Sequence, residues 1–163
     1  MTNDDSCNLD KLKEEYEKIR LKHGLPEFYE LNKLFDIEET EAETDFLLRK
    51  IRRTIAEKIT GYSRFADIIL NPSNAPMFFF KLIKKLDSGD KEVLSEIYEM
   101  LGTLELEMLT LDLDYSEEKE AQFVKKSFEV FNSQVRIRFL EVIKKLGNSD
   151  NNYKKENNGS YFG

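Results

Sequence analysis

Apolar side chains recur at steps of three and four residues along most of this chain, a spacing that suits an α-helix and turns a β-strand out of register. The stripes read Leu9, Leu12, Tyr16, Ile19, then Phe28, Leu31, Leu34, Phe35, then Leu47, Leu48, Ile51, Ile55, Ile59, Tyr62, Phe65, Ile69. After a break at Asn71-Pro72-Ser73-Asn74-Ala75-Pro76 they resume as Leu94, Ile97, Leu101, Leu104, Met108, Leu111, Tyr115, and finally Ala121, Val124, Phe128, Phe131, Val135, Phe139, Val142, Leu146. With 3 Pro and 7 Gly in 163 residues, each helix must stop at a specific signal. His23-Gly24 ends the first, because glycine tolerates the left-handed turn past a helix end. Pro26 opens the second, and Thr40 with Glu43 forms a capping-box pattern for the third, which crosses Gly61 with room for a kink. A short fourth helix runs through Leu86 and closes at Asp87-Ser88-Gly89-Asp90, and the last one ends at Gly147.

One stretch is ambiguous. Leu104, Leu106 and Met108 alternate as a strand would, but the alternation slips at Leu109 and resumes on the other parity through Leu111, Leu113 and Tyr115. A helical template needs no slip, and the intervening Glu, Leu and Met are good helix formers. Asp112–Ser116 then turns the chain, with Asp114 or Ser116 as a cap. The predicted fold is therefore all-α: a single-domain bundle of about five or six helices. Its C-terminal side is expected to hold a long, coiled-coil-like antiparallel hairpin. The bundle spans residues 9–147, preceded by a flexible N-terminus (1–8) and followed by a disordered tail (148–163) without a helical stripe.

Charge is divided into blocks. Residues 1–45 hold 6 basic and 14 acidic side chains, net −8, and residues 46–86 hold 9 and 2, net +7. Residues 87–122 hold 2 and 12, net −10, and residues 123–163 hold 8 and 4, net +4. Blocks of opposite sign favour one arrangement of neighbouring helices in the bundle of an acidic protein.

The same composition excludes several functions. Cys7 is the only cysteine and His23 the only histidine, so neither disulfides nor cysteine- or imidazole-built metal sites are expected. The carboxylate clusters Glu38–Glu43 and Glu117–Glu120 lack a calcium-loop pattern and read as solvated helix starts. His23 stands at the end of the first helix, where a cation suits the C-terminal dipole. Met1-Thr-Asn-Asp-Asp-Ser lacks the apolar run of a signal peptide, and the uncharged run Ile68–Phe80 is shorter than the roughly 20 residues that cross a bilayer. A cytoplasmic setting with no membrane among the partners is expected. Neither a phosphate-cradling glycine loop nor a Ser/His/Asp set is present, so no cofactor and no catalytic residue is assigned.

Recognition has two candidate sites. On a wheel of about 100° per residue, Arg49, Arg53 and Arg64 fall opposite the Ile51 stripe, as does Phe46. Phe46, Arg49, Lys50 and Arg53 thus form a candidate contact for an acidic partner, unless Phe46 packs under the first helix and the arginines pair with its glutamates. Met77-Phe78-Phe79-Phe80 sweeps about 300° of a helix, so it cannot face one core. Phe79, Leu82, Ile83 and Leu86 define its inner side, so Phe78 and Phe80 are either wedged between layers and buried within the monomer or form the candidate apolar contact. The favoured reading is a non-enzymatic helical module that binds another protein or itself through an apolar and basic surface. The alternative is a nucleic-acid-binding bundle using residues 46–86, and a third is an enzyme with a buried carboxylate.

Overall fold

The ambiguous leucine-rich stretch is helical. The computed structural model describes residues 3–41 and 45–147, and in it α5 runs Ser88–Leu113 and buries Leu94, Ile97, Leu101, Leu104, Met108 and Leu111. That is the three-four stripe up to Tyr115, which lies past the helix end and is exposed. The other elements are α1 (Asn3–His23), α2 (Phe28–Phe35), a 3-10 turn (Ile37–Glu39), α3 (Leu47–Leu70), a second 3-10 turn (Pro72–Asn74), α4 (Met77–Ile83), α6 (Glu117–Val130), a π turn (Phe131–Val135) and α7 (Arg136–Gly147). The described residues contain no strand, and the fold is an all-α bundle.

α3 sits at the centre, packed most extensively against α5 and α6 and also touching α1, α2 and α4. It buries Leu47, Leu48, Ile51, Ile55, Ile59 and Ile69, with the small Ser63 and Ala66 between them, and it continues through Gly61 as one element. Aromatic contacts tie its C-terminal half to its neighbours: Tyr62 meets Phe131 with tilted rings at 5.8 Å and Phe139 edge-on at 5.7 Å, and Phe65 meets Phe139 and Phe79 edge-on at 5.8 and 6.3 Å. Phe131 also meets Phe35 of α2 at 5.0 Å. Contacts of this kind add about 0.5–1.5 kcal/mol each beyond the area they bury.

The helix ends follow the expected chemistry in most places. Gly24 takes φ 65° and donates its N–H to the Arg20 carbonyl at 2.7 Å. Asp114 ends α5, and Ser116 caps α6 by accepting from the Lys119 N–H. The third helix departs from expectation: α3 starts at Leu47 behind Phe46, not at Thr40. Thr40 ends the first 3-10 turn instead, buried with its hydroxyl 3.4 Å from that of Thr54, while Glu43 lies outside the described residues. α1 starts at Asn3, so its backbone is helical well ahead of Leu9. The tail 148–163 also lies outside the described residues.

α4 ends at Ile83, short of the expected Leu86, and Asp87-Ser88-Gly89-Asp90 serves the start of α5. Asp87 accepts from the Asp90 N–H at 2.8 Å and Asp90 accepts from the Asp87 N–H at 3.2 Å, a reciprocal capping box that starts α5. Asp87→Ala is expected to lower stability by about 0.5–2 kcal/mol, read as a shift in the urea midpoint at unchanged slope.

The charge blocks meet in the folded chain. Glu107 pairs with Lys126, Glu96 with Arg138 and Asp90 with Lys145, so α5 and the α6–α7 segment run in opposite directions along this ladder. Lys58 pairs with Asp36 at 2.5 Å, and Lys22 with Glu117 at 2.9 Å. Exposed pairs contribute only about 0–1 kcal/mol each, so their main effect is on which helices become neighbours.

Candidate functional site

The basic run at the start of α3 is split by helical geometry into cations with different surroundings. The guanidinium of Arg49 lies 3.8 Å from the centre of the Tyr115 ring and 5.3 Å from that of the exposed Phe46, and its Nε is 3.5 Å from Glu120 Oε1. Lys50 reaches Glu41 at 2.6 Å. Arg53 is exposed and has no ion pair among the described residues; it lines a groove of about 640 Å³ between α3 and α5 with Ala56, Thr60, Glu105 and Leu109. The carboxylates that meet the α3 cations come from Glu41, Asp36, Asp112 and Glu120. None comes from α1 among the described residues, which corrects the expected pairing with the first helix.

Arg52, between the expected candidates, is the one that goes inside. It is 3% exposed, with Nε 3.2 Å from Glu120 Oε1 and Nη2 2.7 Å from Asp112 Oδ1. Glu120 is 1% exposed, and its Oε2 has no hydrogen-bond partner among the described residues. Burial pushes its carboxyl above the usual glutamate range, against the opposing pull of Arg52 and Arg49. Sequence reasoning placed Glu120 in a solvated helix start, and that holds for its neighbours. Glu117 accepts from Lys22 and bonds the His23 ring at 2.8 Å; Glu118 bonds Ser116 at 2.9 Å, and both carboxyls lie below their ordinary values. His23 thus joins α1 to α6 through its ring. A signal for the buried pair was present: Arg52 stands four residues after Leu48 and three before Ile55, and Glu120 four before Val124, all on buried faces. No group of three or more His, Cys, Asp or Glu among the described residues is arranged to hold a metal ion.

α4 divides as its wheel suggests. Phe79 rests on Phe65 and Ile83 is buried, while Met77, Phe78 and Phe80 are 84%, 66% and 42% exposed. These side chains do not join the Arg49–Arg53 cations in one surface, because α4 follows the far end of α3 and Arg53 lies about 25 Å from Leu70 along that helix.

A further apolar face escaped sequence reasoning. Leu106, Leu109 and Leu113 stand at steps of three and four on the solvent side of α5, and all are exposed. They are the leucines left over once the helical template has claimed the inner stripe, which was the available signal. Leu109 borders the groove that holds Arg53, so an apolar ridge and a cation do lie side by side here. No helix among the described residues is long and apolar enough to cross a membrane. No protein-family model, no curated protein and no solved structure matches this chain.

Proposed function

We propose that this chain is a non-enzymatic helical module that binds another protein, or a second copy of itself, through the outer face of α5. The observation that carries this reading is the exposed ridge of Leu106, Leu109 and Leu113 on a helix whose opposite face already fills the core. A partner helix laid along the ridge covers leucines worth about 1.5–3 kcal/mol each when fully buried. Arg53, across the groove from Leu109, supplies a cation at the margin that selects for an acidic flank on the partner. The nucleic-acid alternative is less favoured because Arg49, Lys50, Arg52 and Lys58 already engage carboxylates of this chain, which leaves fewer cations to release counterions from phosphates.

Two measurements test the reading. Sedimentation velocity over a range of concentrations reports self-association, which Leu106→Ser with Leu109→Ser and Leu113→Ser abolishes at unchanged melting temperature. A photo-crosslinking residue at position 109 forms adducts in cells that the same residue at the exposed Tyr29 does not. A chain that stays monomeric and gives no adduct specific to position 109 overturns the proposal.

A further inference from the structure

We propose that the outward face of α4 is a docking surface for an anionic lipid bilayer, on which Met77, Phe78 and Phe80 enter the headgroup boundary and Lys81 and Lys84 meet lipid phosphates. This goes beyond the protein-binding reading of α5 and does not rest on it. It also departs from the expectation of no membrane among the partners, which rested on the lack of a spanning segment: crossing a bilayer needs a long apolar helix, whereas lying on one needs an amphipathic element with exposed apolar groups and cations.

The wheel of α4 shows why the two residue types share one face. At about 100° per residue, Phe79, Leu82 and Ile83 span an inner arc of about 100°. Starting from Phe78 and turning away from that arc, one passes Lys81, Met77, Lys84 and then Phe80 within about 160°. Phe79 and Leu82 pack on the core and Ile83 and Leu86 are buried, whereas Lys81 and Lys84 are exposed with the three apolar residues. No acidic residue occurs between Asp67 and Asp87, in a chain whose net charge is −7. The apolar tips also stand clear of the clefts along α3 and α5, none of which they line.

This combination points to lipid over other occupants. A second copy docked by a two-fold axis would set the lysines of one α4 against those of the other, a like-charge arrangement that disfavours pairing. Side chains that protrude from a short helix suit a surface that yields around them, as a headgroup layer does. The acidic remainder of the molecule is repelled by an anionic leaflet, so the field also turns α4 toward it. The short helix makes the contact reversible, dependent on both apolar insertion and charge.

The chain has no tryptophan, so Phe78→Trp gives a reporter at the contact itself. Its emission is expected to shift to the blue with vesicles of phosphatidylcholine and phosphatidylserine, and brominated acyl chains are expected to quench it. Vesicle co-sedimentation of the unmodified chain should follow the same lipid preference and weaken with salt. Lys81→Gln with Lys84→Gln is expected to weaken partitioning about 30-fold, at about fivefold per lysine. Phe78→Ser with Phe80→Ser is expected to remove it, with only a small drop in melting temperature, since both rings are exposed and the edge-on contact of Phe78 with Phe79 at 5.8 Å is lost. Absence of vesicle binding, or binding indifferent to both double variants, overturns the proposal. So does an unshifted emission of the Phe78→Trp variant on vesicles combined with a protein adduct from a photo-crosslinker at position 78, which assigns the face to a protein.

Discussion

Replacing Arg52 by alanine is expected to destabilise the protein by about 3–5 kcal/mol, the range found when one member of a buried ion pair is removed. The physical reason lies in what stays behind. Glu120 is almost fully buried, its Oε2 has no partner among the described residues, and after the substitution its Oε1 retains only Arg49 at 3.5 Å. Arg52→Met with Glu120→Leu is expected to recover most of the loss, because it removes both charges and fills the space with apolar atoms. The pH dependence has a defined sign. The Glu120 carboxyl lies above its ordinary value, so the folded state binds its proton more readily than the unfolded state. Stability from this group is therefore present below the ordinary glutamate value and lost as pH rises through the raised one. Arg52→Ala takes away a cation that holds this value down, so the window extends upward and the deficit is smallest at mildly acidic pH. Asp90 and Glu117 act in the opposite sense, since Lys145 holds the first carboxyl down and Lys22 the second. Urea unfolding of both chains at mildly acidic and neutral pH separates these contributions. A deficit below about 1 kcal/mol at neutral pH, as for an exposed pair, sinks the argument that this pair is a buried anchor.

The fold was legible where the stripe alone decides it, and illegible where a distant partner decides it. In α5 six of the seven residues of the predicted stripe pack on the core, and Tyr115, past the helix end, does not. The Ser116 cap was legible for a similar reason, because its hydroxyl answers an N–H three residues away. Thr40 fitted a capping pattern equally well, yet its hydroxyl lies against Thr54 in a helix that starts later. A local motif does not reveal that competition. The place of Arg52 between Leu48 and Ile55 signalled a buried position, but its partner Glu120 lies on another helix, so no window along the chain pairs the two. Consecutive aromatics exceed what one helix face can hold, which placed Phe78 and Phe80 off the inner face but left burial between layers equally open; only the fold shows both exposed. The ridge of Leu106, Leu109 and Leu113 was hidden by its residue type, since leucines beside a buried stripe read as more core.

The π turn is the other feature that periodicity passed over, and removing one residue at a time tests what it does. An uninterrupted α-helix from α6 into α7 would set the middle of the buried face of α7 (Phe139, Val142, Leu146) about 60° from that of α6 (Glu120, Ala121, Phe123, Val124, Ser127). A turn that absorbs one additional residue carries that face through about 100° and leaves it about 40° off on the other side, which brings Ser127 and Leu146 into line and moves Val124 and Val142 apart. Phe131–Val135 is such a turn, with Asn132, Ser133 and Gln134 exposed between its two buried ends. Deleting Ser133 therefore converts it to ordinary helix while leaving Phe139, Val142 and Leu146 on the face they occupy now. The expected result is a folded protein with a melting temperature close to that of the parent. Deleting Thr103, an exposed residue of the regular α5, has no such outlet. One half of that helix must turn by about 100°, which takes either Leu94, Ile97 and Leu101 or Leu104, Met108 and Leu111 off the core. At about 1.5–3 kcal/mol for each side chain, the loss approaches or exceeds the roughly 5–15 kcal/mol that holds a domain of this size together. Circular dichroism melts of the two deletions distinguish the cases directly. Equal loss of structure in both would show that the π turn sets no register, and that α7 is held by something other than the phase of its buried face.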